Sequence, residues 1–189
     1  AKEAIKNVTA IIKKYFGDGS SFGIKIQYTW ENENRPLGTA GGIGLARSKL
    51  TCPFAVTCGD ALRTLNVDKI LDLHRQKGAL ATLALHKPKN EKITSFVKFN
   101  KNLRINRFVE RPTQEQLAMA GEVYMNSSFY VFESGVFNYI PKAQRVDFGY
   151  DIWPKVLENR ERVFAYPTND RVIDVGTPEK LEEAQQWRV

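Results

Sequence analysis

The stretch Phe54-Ala-Val-Thr-Cys-Gly-Asp60 is a short apolar run that ends in a glycine and a carboxylate. Its apolar character predicts a buried strand in the middle of a parallel sheet. Asn66 follows as the expected cap of a helix that ends near Lys77, because its side chain can accept a hydrogen bond from the first helical turn. Residues 79–85 form the next apolar run. A strand, a helix and a second strand in this order are typical of a parallel sheet covered by helices.

The rest of the chain continues to alternate between helical and strand-like patterns. We expect further helices at 2–16, 39–50, 134–139, 148–159 and from Thr177 onward, and further strands at 23–30, 96–99, 103–109, within 122–133, 163–166 and 172–175. This alternation predicts a single α/β domain over residues 1–189, with a mixed, mainly parallel sheet between helical layers. Ligands bind such sheets beyond the carboxyl ends of the strands.

The composition is that of an ordinary globular protein. Apolar residues make up 42% of the 189 residues and charged residues 26%, which excludes a largely disordered chain. No stretch approaches the ~20 apolar residues that a membrane span needs, so we expect a cytoplasmic protein without a membrane partner. The net charge of +7 favours an anionic ligand, but the basic residues are scattered, and a nucleic-acid partner is not expected. Cys52 and Cys58 flank one strand and are predicted to be free core thiols.

A glycine-rich segment, Leu37-Gly-Thr-Ala-Gly-Gly-Ile-Gly44, precedes the first apolar run. It lacks the lysine of a phosphate-binding loop of the Walker type and the glycine spacing of a dinucleotide-binding turn. Glycines at the start of a helix let backbone amides approach a flat or anionic ligand closely. The same glycines also suit a tight turn from a loop into a helix, and the sequence leaves both interpretations open.

Charged residues follow three of the predicted strands. Asp60 could hold Mg²⁺ at the edge of the sheet or cap the turn that follows. Glu110 could accept hydrogen bonds from sugar hydroxyls and Arg111 could bind a phosphate, or both could be an ordinary charged strand end. Asp174 lies in a short apolar strand, where a lone charge is unfavourable unless it is paired or bound to a metal. It could share one cation with Asp60, or serve the start of the last helix.

Taken in order, these motifs resemble those of the sugar-1-phosphate nucleotidyltransferases, also called nucleotide-sugar pyrophosphorylases. Members of that family include mannose-1-phosphate guanylyltransferase and glucose-1-phosphate thymidylyltransferase. The resemblance covers the chain from about residue 8 to its end, and it rests on Leu37-Gly-Thr-Ala40, Gly59-Asp60, Glu110-Arg-Pro112, Asn126, Asp147-Phe148 with Asp151, and Asp174-Val-Gly-Thr-Pro178.

The resemblance implies a Rossmann-like three-layer α/β/α fold and a reaction that joins a sugar-1-phosphate to a nucleoside triphosphate and releases pyrophosphate. It also implies a role for each matching residue. The implied roles are nucleotide binding for Leu37, Gly38 and Thr39, Mg²⁺ binding and catalysis for Asp60 and Asp174, sugar binding for Glu110 and Asn126, and binding of the sugar phosphate in catalysis for Arg111.

Two substitutions and one absence separate the chain from the family pattern. Arg111 stands where the family usually has lysine, which keeps the charge but changes its geometry. Ser95 stands where the family commonly has glycine. The family's first strand and its glycine-rich triphosphate loop have no counterpart in residues 1–189. That segment could be disordered or deleted, could come from another chain, or could be replaced by a reorganised sheet.

We therefore expect this chain on its own to be inactive and poorly soluble. Homo-oligomerisation, or a second chain that supplies the missing strand, is the expected route to a complete sheet. The alternative function is that of a catalytically dead sugar-nucleotide-binding or regulatory subunit.

Overall fold

The computed structural model describes residues 2–32, 34–88 and 92–187. The α-helices are α1 (Lys2–Phe16), α2 (Gly38–Gly44), α3 (Val67–Lys77), α4 (Gln114–Ala120), α5 (Trp153–Glu158) and α6 (Pro178–Gln185). The strands are β1 (Phe54–Thr57), β2 (Ala61–Arg63), β3 (Ala81–His86), β4 (Ser95–Phe99), β5 (Ile105–Glu110), β6 (Met125–Phe132), β7 (Val163–Thr168) and β8 (Val172–Asp174). Short 3₁₀ turns lie at Ser20–Phe22 and Ser134–Asn138, and a π-helical turn at Phe148–Ile152 leads into α5.

The main sheet is mixed and has the strand order β1-β6-β3-β7. Strands β3 and β7 pair in parallel, whereas β6 runs antiparallel to both of its neighbours, β1 and β3. Three strands therefore point the same way, but the reversed strand β6 separates two of them. Strand β1 pairs only with β6 among the described strands, so it lies at an edge and not in the middle of the sheet as its apolar run predicted.

Two smaller antiparallel pairs flank the main sheet. Strands β4 and β5 form the predicted hairpin, and Val97 in β4 exchanges backbone hydrogen bonds with Tyr124 just before β6. Strands β2 and β8 form a two-stranded ribbon. The hairpin places β4 beside the start of β6, and Glu110 at the end of β5 lines the same cavity as Asn126 near the start of β6.

Helices cover both faces of the main sheet. On one face, Ile70 of α3 packs with Phe129 and Val131 of β6. On the other face, Phe132 of β6 and Trp153 of α5 stack with their ring centroids 5.8 Å apart, within an aromatic core that also contains Tyr130 and Phe148. Successive side chains of β6 point to opposite faces of the sheet, so this strand contributes residues to the packing on both faces. This three-layer arrangement agrees with the predicted α/β class.

Residues 23–30 do not form the predicted strand. Residues 25–30 carry no regular secondary structure, and their side chains are mostly exposed. Tyr28 and Trp30 stack on each other at 5.7 Å instead of entering the core. A strand is stabilised by its neighbours, and within the part of the chain that the structure describes no strand pairs with this segment.

Two further expectations concern single features. Cys52 and Cys58 are free, as predicted, but both are exposed and neither belongs to the core, because β1 lies at the edge of the sheet. Within residues 2–32, 34–88 and 92–187, no helix combines the length and the apolar character that a membrane crossing requires.

Candidate functional site

A cavity of about 670 Å³ opens where β5, β6 and the π-helical turn meet. Four of the residues singled out from the sequence line it, namely Thr39, Glu110, Arg111 and Asn126. They come from distant parts of the chain, and the sheet brings them to one place. The polar lining is completed by residues that include Ser128, Tyr130, Arg145 and Asp147.

Thr39 and Asp147 both line the cavity and are joined by two hydrogen bonds. The backbone N–H and the hydroxyl of Thr39 both donate to Oδ1 of Asp147, at 3.0 and 3.1 Å. The Thr39 hydroxyl oxygen in turn accepts from the backbone N–H of Phe148 at 3.0 Å. Asp147 is itself anchored, because its N–H donates to Oδ2 of Asp151 at 2.8 Å. This network fixes α2 to the π-helical turn.

The glycine-rich segment forms a tight turn into α2. Gly38 has a φ of +74°, and a Cβ atom there would lie 2.7 Å from the carbonyl oxygen of Val146. That same oxygen accepts from the N–H groups of Ala40 and Gly41, and the Val146 N–H donates to the carbonyl of Leu37. Because Val146 already occupies these amides, the structure favours the tight-turn interpretation at Ala40 and Gly41. Leu37 and Gly38 lie next to Thr39 at the cavity rather than in its lining.

Glu110 ends β5 half-buried in the cavity. Burial raises the pKa of the Glu110 carboxyl above its usual range; Arg111 opposes this rise and Asp147 adds to it. Gly149 packs closely against this side chain, since a Cβ atom at 149 would lie 2.5 Å from Oε2 of Glu110. The carboxylate is thus confined between charged neighbours and a glycine that leaves it room.

Arg111 has a left-handed backbone with a φ of +46°. Its N–H donates to the carbonyl oxygen of Thr94 at 2.8 Å. Non-glycine residues rarely adopt this conformation, and such strained backbones concentrate at functional sites. The bend presents Arg111 to the same cavity as Glu110.

Asn126 is oriented by three hydrogen bonds. Its Nδ2 donates to the phenol oxygen of Tyr130 at 2.6 Å, its Oδ1 accepts from the N–H of Ser128 at 3.1 Å, and its own N–H donates to Oγ of Ser95 at 3.3 Å. Burial raises the pKa of the Tyr130 phenol to about 12. Ser95, which departs from the family pattern, is therefore a buried partner of the Asn126 backbone.

Asp174 ends β8 of the β2–β8 ribbon and Asp60 directly precedes β2, and both lie outside the cavity lining. The register pairs Ala61 with Asp174, and the N–H of Val175 donates to the carbonyl of Asp60 at 2.8 Å. Their backbones are adjacent, and the exposed carboxylate of Asp174 accepts from the N–H of Gly176 at 2.9 Å. Among the described residues, no group of three or more His, Cys, Asp or Glu side chains gathers as a metal site. A cation shared by Asp60 and Asp174 stays a prediction.

Sequence reasoning assigned no role to Asp147 or Tyr130. Asp147 belongs to the motif order, but its partner Thr39 lies 108 positions away in the chain. Tyr130 sits in an apolar strand pattern that predicts only core packing, and its hydroxyl contact with Asn126 depends on the bulge in β6. Neither role has a local signal in the sequence.

Comparison with known proteins relates the whole chain to one family. Residues 5–187 match the model of the family described as Nucleotidyl transferase. A UTP–glucose-1-phosphate uridylyltransferase of Synechocystis sp. is 32% identical over 184 residues, which cover 91% of this chain and 47% of that protein. A mannose-1-phosphate guanylyltransferase of Mycobacterium tuberculosis is 31% identical, with 90% of this chain and 46% of that protein covered. The chain thus spans about half the length of these curated relatives.

Solved structures support the fold independently. A Bacillus anthracis protein assigned to the glucose-1-phosphate thymidylyltransferases, solved in complex with sucrose, superposes with a TM-score of 0.77 at 17% identity. The match covers 95% of this chain and 73% of that one. At this identity the likeness concerns the fold, and it confirms the predicted Rossmann-like α/β class.

Proposed function

Because the chain belongs to the nucleotidyl transferase family, we propose that it acts as a sugar-1-phosphate nucleotidyltransferase. Its substrates would be a sugar-1-phosphate and a nucleoside triphosphate, and its products a nucleotide-sugar and pyrophosphate. One observation carries the proposal. A single cavity of about 670 Å³ unites Thr39, the nucleotide-side residue, with Glu110, Arg111 and Asn126, which were assigned to the sugar phosphate.

The proposed reaction needs the two anionic substrates to be held in line. A phosphate oxygen of the sugar-1-phosphate attacks the α-phosphorus of the triphosphate, and the bond from that phosphorus to the pyrophosphate oxygen breaks. Glu110 would accept hydrogen bonds from sugar hydroxyls, and Arg111 would neutralise the attacking phosphate. Thr39, with Leu37 and Gly38, would position the nucleoside. Catalysis of this kind depends mainly on positioning and charge stabilisation.

The two ribbon carboxylates suit Mg²⁺. This ion is commonly held by one or two carboxylates together with substrate phosphates, and Asp60 and Asp174 are adjacent acids on one ribbon, with the carboxylate of Asp174 exposed to incoming ligands. When bound, Mg²⁺ would neutralise phosphate charge. Both the ion and a cytoplasmic location stay predictions.

Pyrophosphate release from the complete gene product tests the activity. The four ribonucleoside triphosphates and dTTP would each be combined with glucose-1-phosphate or mannose-1-phosphate in the presence of Mg²⁺. Release that depends on both substrates supports the proposal. Binding of a nucleotide-sugar without any release favours the dead-subunit alternative, and the absence of both binding and release overturns the proposal. Residues 1–189 alone, assayed in parallel, would test the expected inactivity of this chain.

Glu110→Ala tests the assignment of the sugar side. A hydrogen bond to a charged group contributes ~1.5–3 kcal/mol, so we expect about a tenfold or greater loss in nucleotide-sugar affinity, with little change for the nucleotide alone. Titration calorimetry would measure both. Glu115→Ala is the matched control, since Glu115 is an exposed acid in the first turn of α4. Equal losses for both ligands would contradict the assignment of Glu110.

A further inference from the structure

Ser128 has an unusual backbone for a residue inside a strand. Its φ is +53°, although it belongs to β6 and carries a side chain. The left-handed region is unfavourable for every residue with a Cβ atom, and glycine adopts it freely. A serine here is therefore a strained choice at a position that lines the cavity.

The strain has a local structural origin in a bulge of β6. The register with β3 pairs Leu83 with Tyr130 and Leu85 with Asn126, so β6 holds extra residues between the two pairs. Such bulges redirect side chains next to functional sites. The N–H of Ser128 closes the turn by donating to Oδ1 of Asn126. This bond uses only the backbone of Ser128, and a glycine would make it with less strain.

The Ser128 hydroxyl hydrogen bonds with the phenol of Tyr130, and the phenol oxygen also accepts from Nδ2 of Asn126. A hydroxyl offers one donor and two acceptor positions, so this bond leaves capacity for a ligand. Asn126, Ser128 and Tyr130 thus form a closed, oriented polar edge, and Glu110 lines the same cavity.

We propose that Ser128 is a specificity-determining residue whose hydroxyl hydrogen bonds with a hydroxyl of the sugar-1-phosphate. This inference rests on the proposed function. A polar partner at a fixed position discriminates between sugars that differ in the placement of one hydroxyl, because the wrong sugar leaves a polar group without a partner. Ser128 therefore contributes both affinity and a preference between epimeric sugars.

Two substitutions at Ser128 separate the effect of losing the hydroxyl from the effect of relieving the backbone strain. Ser128→Gly removes the hydroxyl and relieves the strain, whereas Ser128→Ala removes the hydroxyl and keeps the strain. Ala143→Gly is the matched control, because Ala143 also has a φ of +53° but does not line this cavity. It calibrates the gain in stability that comes from replacing a left-handed residue with glycine.

Calorimetry would measure the affinities for glucose-1-phosphate, mannose-1-phosphate and the accepted nucleoside triphosphate. Thermal unfolding would measure the stability of each variant. We expect both Ser128 variants to bind the preferred sugar phosphate about five- to tenfold more weakly, with a smaller ratio between the two sugars and unchanged nucleotide affinity. Ser128→Gly should unfold at a temperature no lower than that of the parent protein, as should Ala143→Gly. A Ser128→Gly variant that keeps the parent affinity and ratio would overturn the inference. Failure of the parent protein to bind either sugar phosphate would instead reject the proposed function on which it rests.

Discussion

The residues singled out from the sequence lie in two regions that are built differently, namely the cavity lining around Glu110 and Asn126 and the β2–β8 ribbon with Asp60 and Asp174. In the cavity lining, Glu110 is half-buried and Asn126 is oriented by three hydrogen bonds, above a core that contains a cluster of aromatic rings. On the ribbon, Asp60 and Asp174 are exposed, and Oδ1 of Asp174 accepts a hydrogen bond from the N–H of Gly176. The cavity lining is thus organised before a ligand arrives, and the carboxylates of the ribbon are exposed to solvent.

The largest difference should appear when the support of the cavity lining is removed. Trp153 is 1% exposed and packs beneath the cavity against Tyr130, Phe132 and Phe148. Trp153→Ala should lower the free energy of unfolding by about 3–5 kcal/mol, since it deletes a large buried side chain. Trp30, which is 53% exposed, provides the control, and Trp30→Ala should change stability by less than about 1 kcal/mol. Urea unfolding measures both, and comparable losses would show that the aromatic core is not the main support.

Removal of Asp147 should have the next largest effect. Asp147→Ala removes the acceptor of two donors of Thr39. Because Thr39 is exposed and water can replace this acceptor, we expect a loss of about 1–2 kcal/mol in the free energy of unfolding with weaker nucleotide binding. Asp72→Ala is a suitable control, because Asp72 is an exposed helical acid whose side chain is 3.9 Å from Arg75. If the nucleotide affinity of Asp147→Ala equals that of the control, the hydrogen bonds between Thr39 and Asp147 do not contribute to nucleotide binding.

A pair of glycine substitutions compares the two regions directly. Gly149→Ala places a methyl group 2.5 Å from Oε2 of Glu110, whereas Gly59→Ala on the ribbon side meets no atom within 4 Å. Overpacking of the cavity lining should reduce stability by about 1 kcal/mol and sugar-phosphate affinity by about tenfold, because Glu110 must move. Gly59→Ala should change neither. Calorimetry and thermal unfolding are the measurements, and an unaffected Gly149→Ala variant would show that Glu110 is not confined.

The smallest effect concerns the charge on Glu110. Burial raises the pKa of Glu110 in the folded state, so the folded state binds more protons than the unfolded state. The ionised carboxylate therefore destabilises the folded protein at neutral pH. This destabilisation disappears as the pH falls below the unfolded pKa of about 4.3. Glu110→Gln should therefore have a higher free energy of unfolding than the parent protein at pH 7, by less than about 1 kcal/mol after solvent screening. This difference should close towards pH 4. Unfolding midpoints across pH 4–8 measure this. A difference that grows at acidic pH would contradict the sign of the shift.

Local chemistry made much of the secondary structure predictable. Asn66 caps α3 by accepting from the N–H of Lys69, and Gly78 ends that helix with a left-handed φ of +50°. Thr177 caps α6 in the same manner, with proline at the first helical position. Caps, glycines and prolines act over three or four residues, so their effect can be recognised without the rest of the fold.

The family and part of the site were also predictable from the motifs. The resemblance is confirmed by the family match over residues 5–187. Four of the singled-out residues, Thr39, Glu110, Arg111 and Asn126, meet in one cavity. The roles of these residues and the metal pair stay predictions, and the substitutions above test the role of Glu110 and the support that Asp147 gives Thr39.

The sequence by itself determined where α3 begins and ends and where α6 begins, because caps, glycines and prolines act on nearby residues. It placed the end of α2 at residue 50 instead of Gly44, and it gave no helix at Gln114–Ala120. Only the tertiary structure decided that residues 23–30 do not form a strand and that β1 lies at an edge, because a strand exists through hydrogen bonds to distant partners. It likewise decided that Asp147 holds Thr39, 108 positions away, and that Ser128 bends a strand to face the cavity. Contacts between residues so far apart in the chain arise from the packing of the whole sheet, which no local pattern encodes.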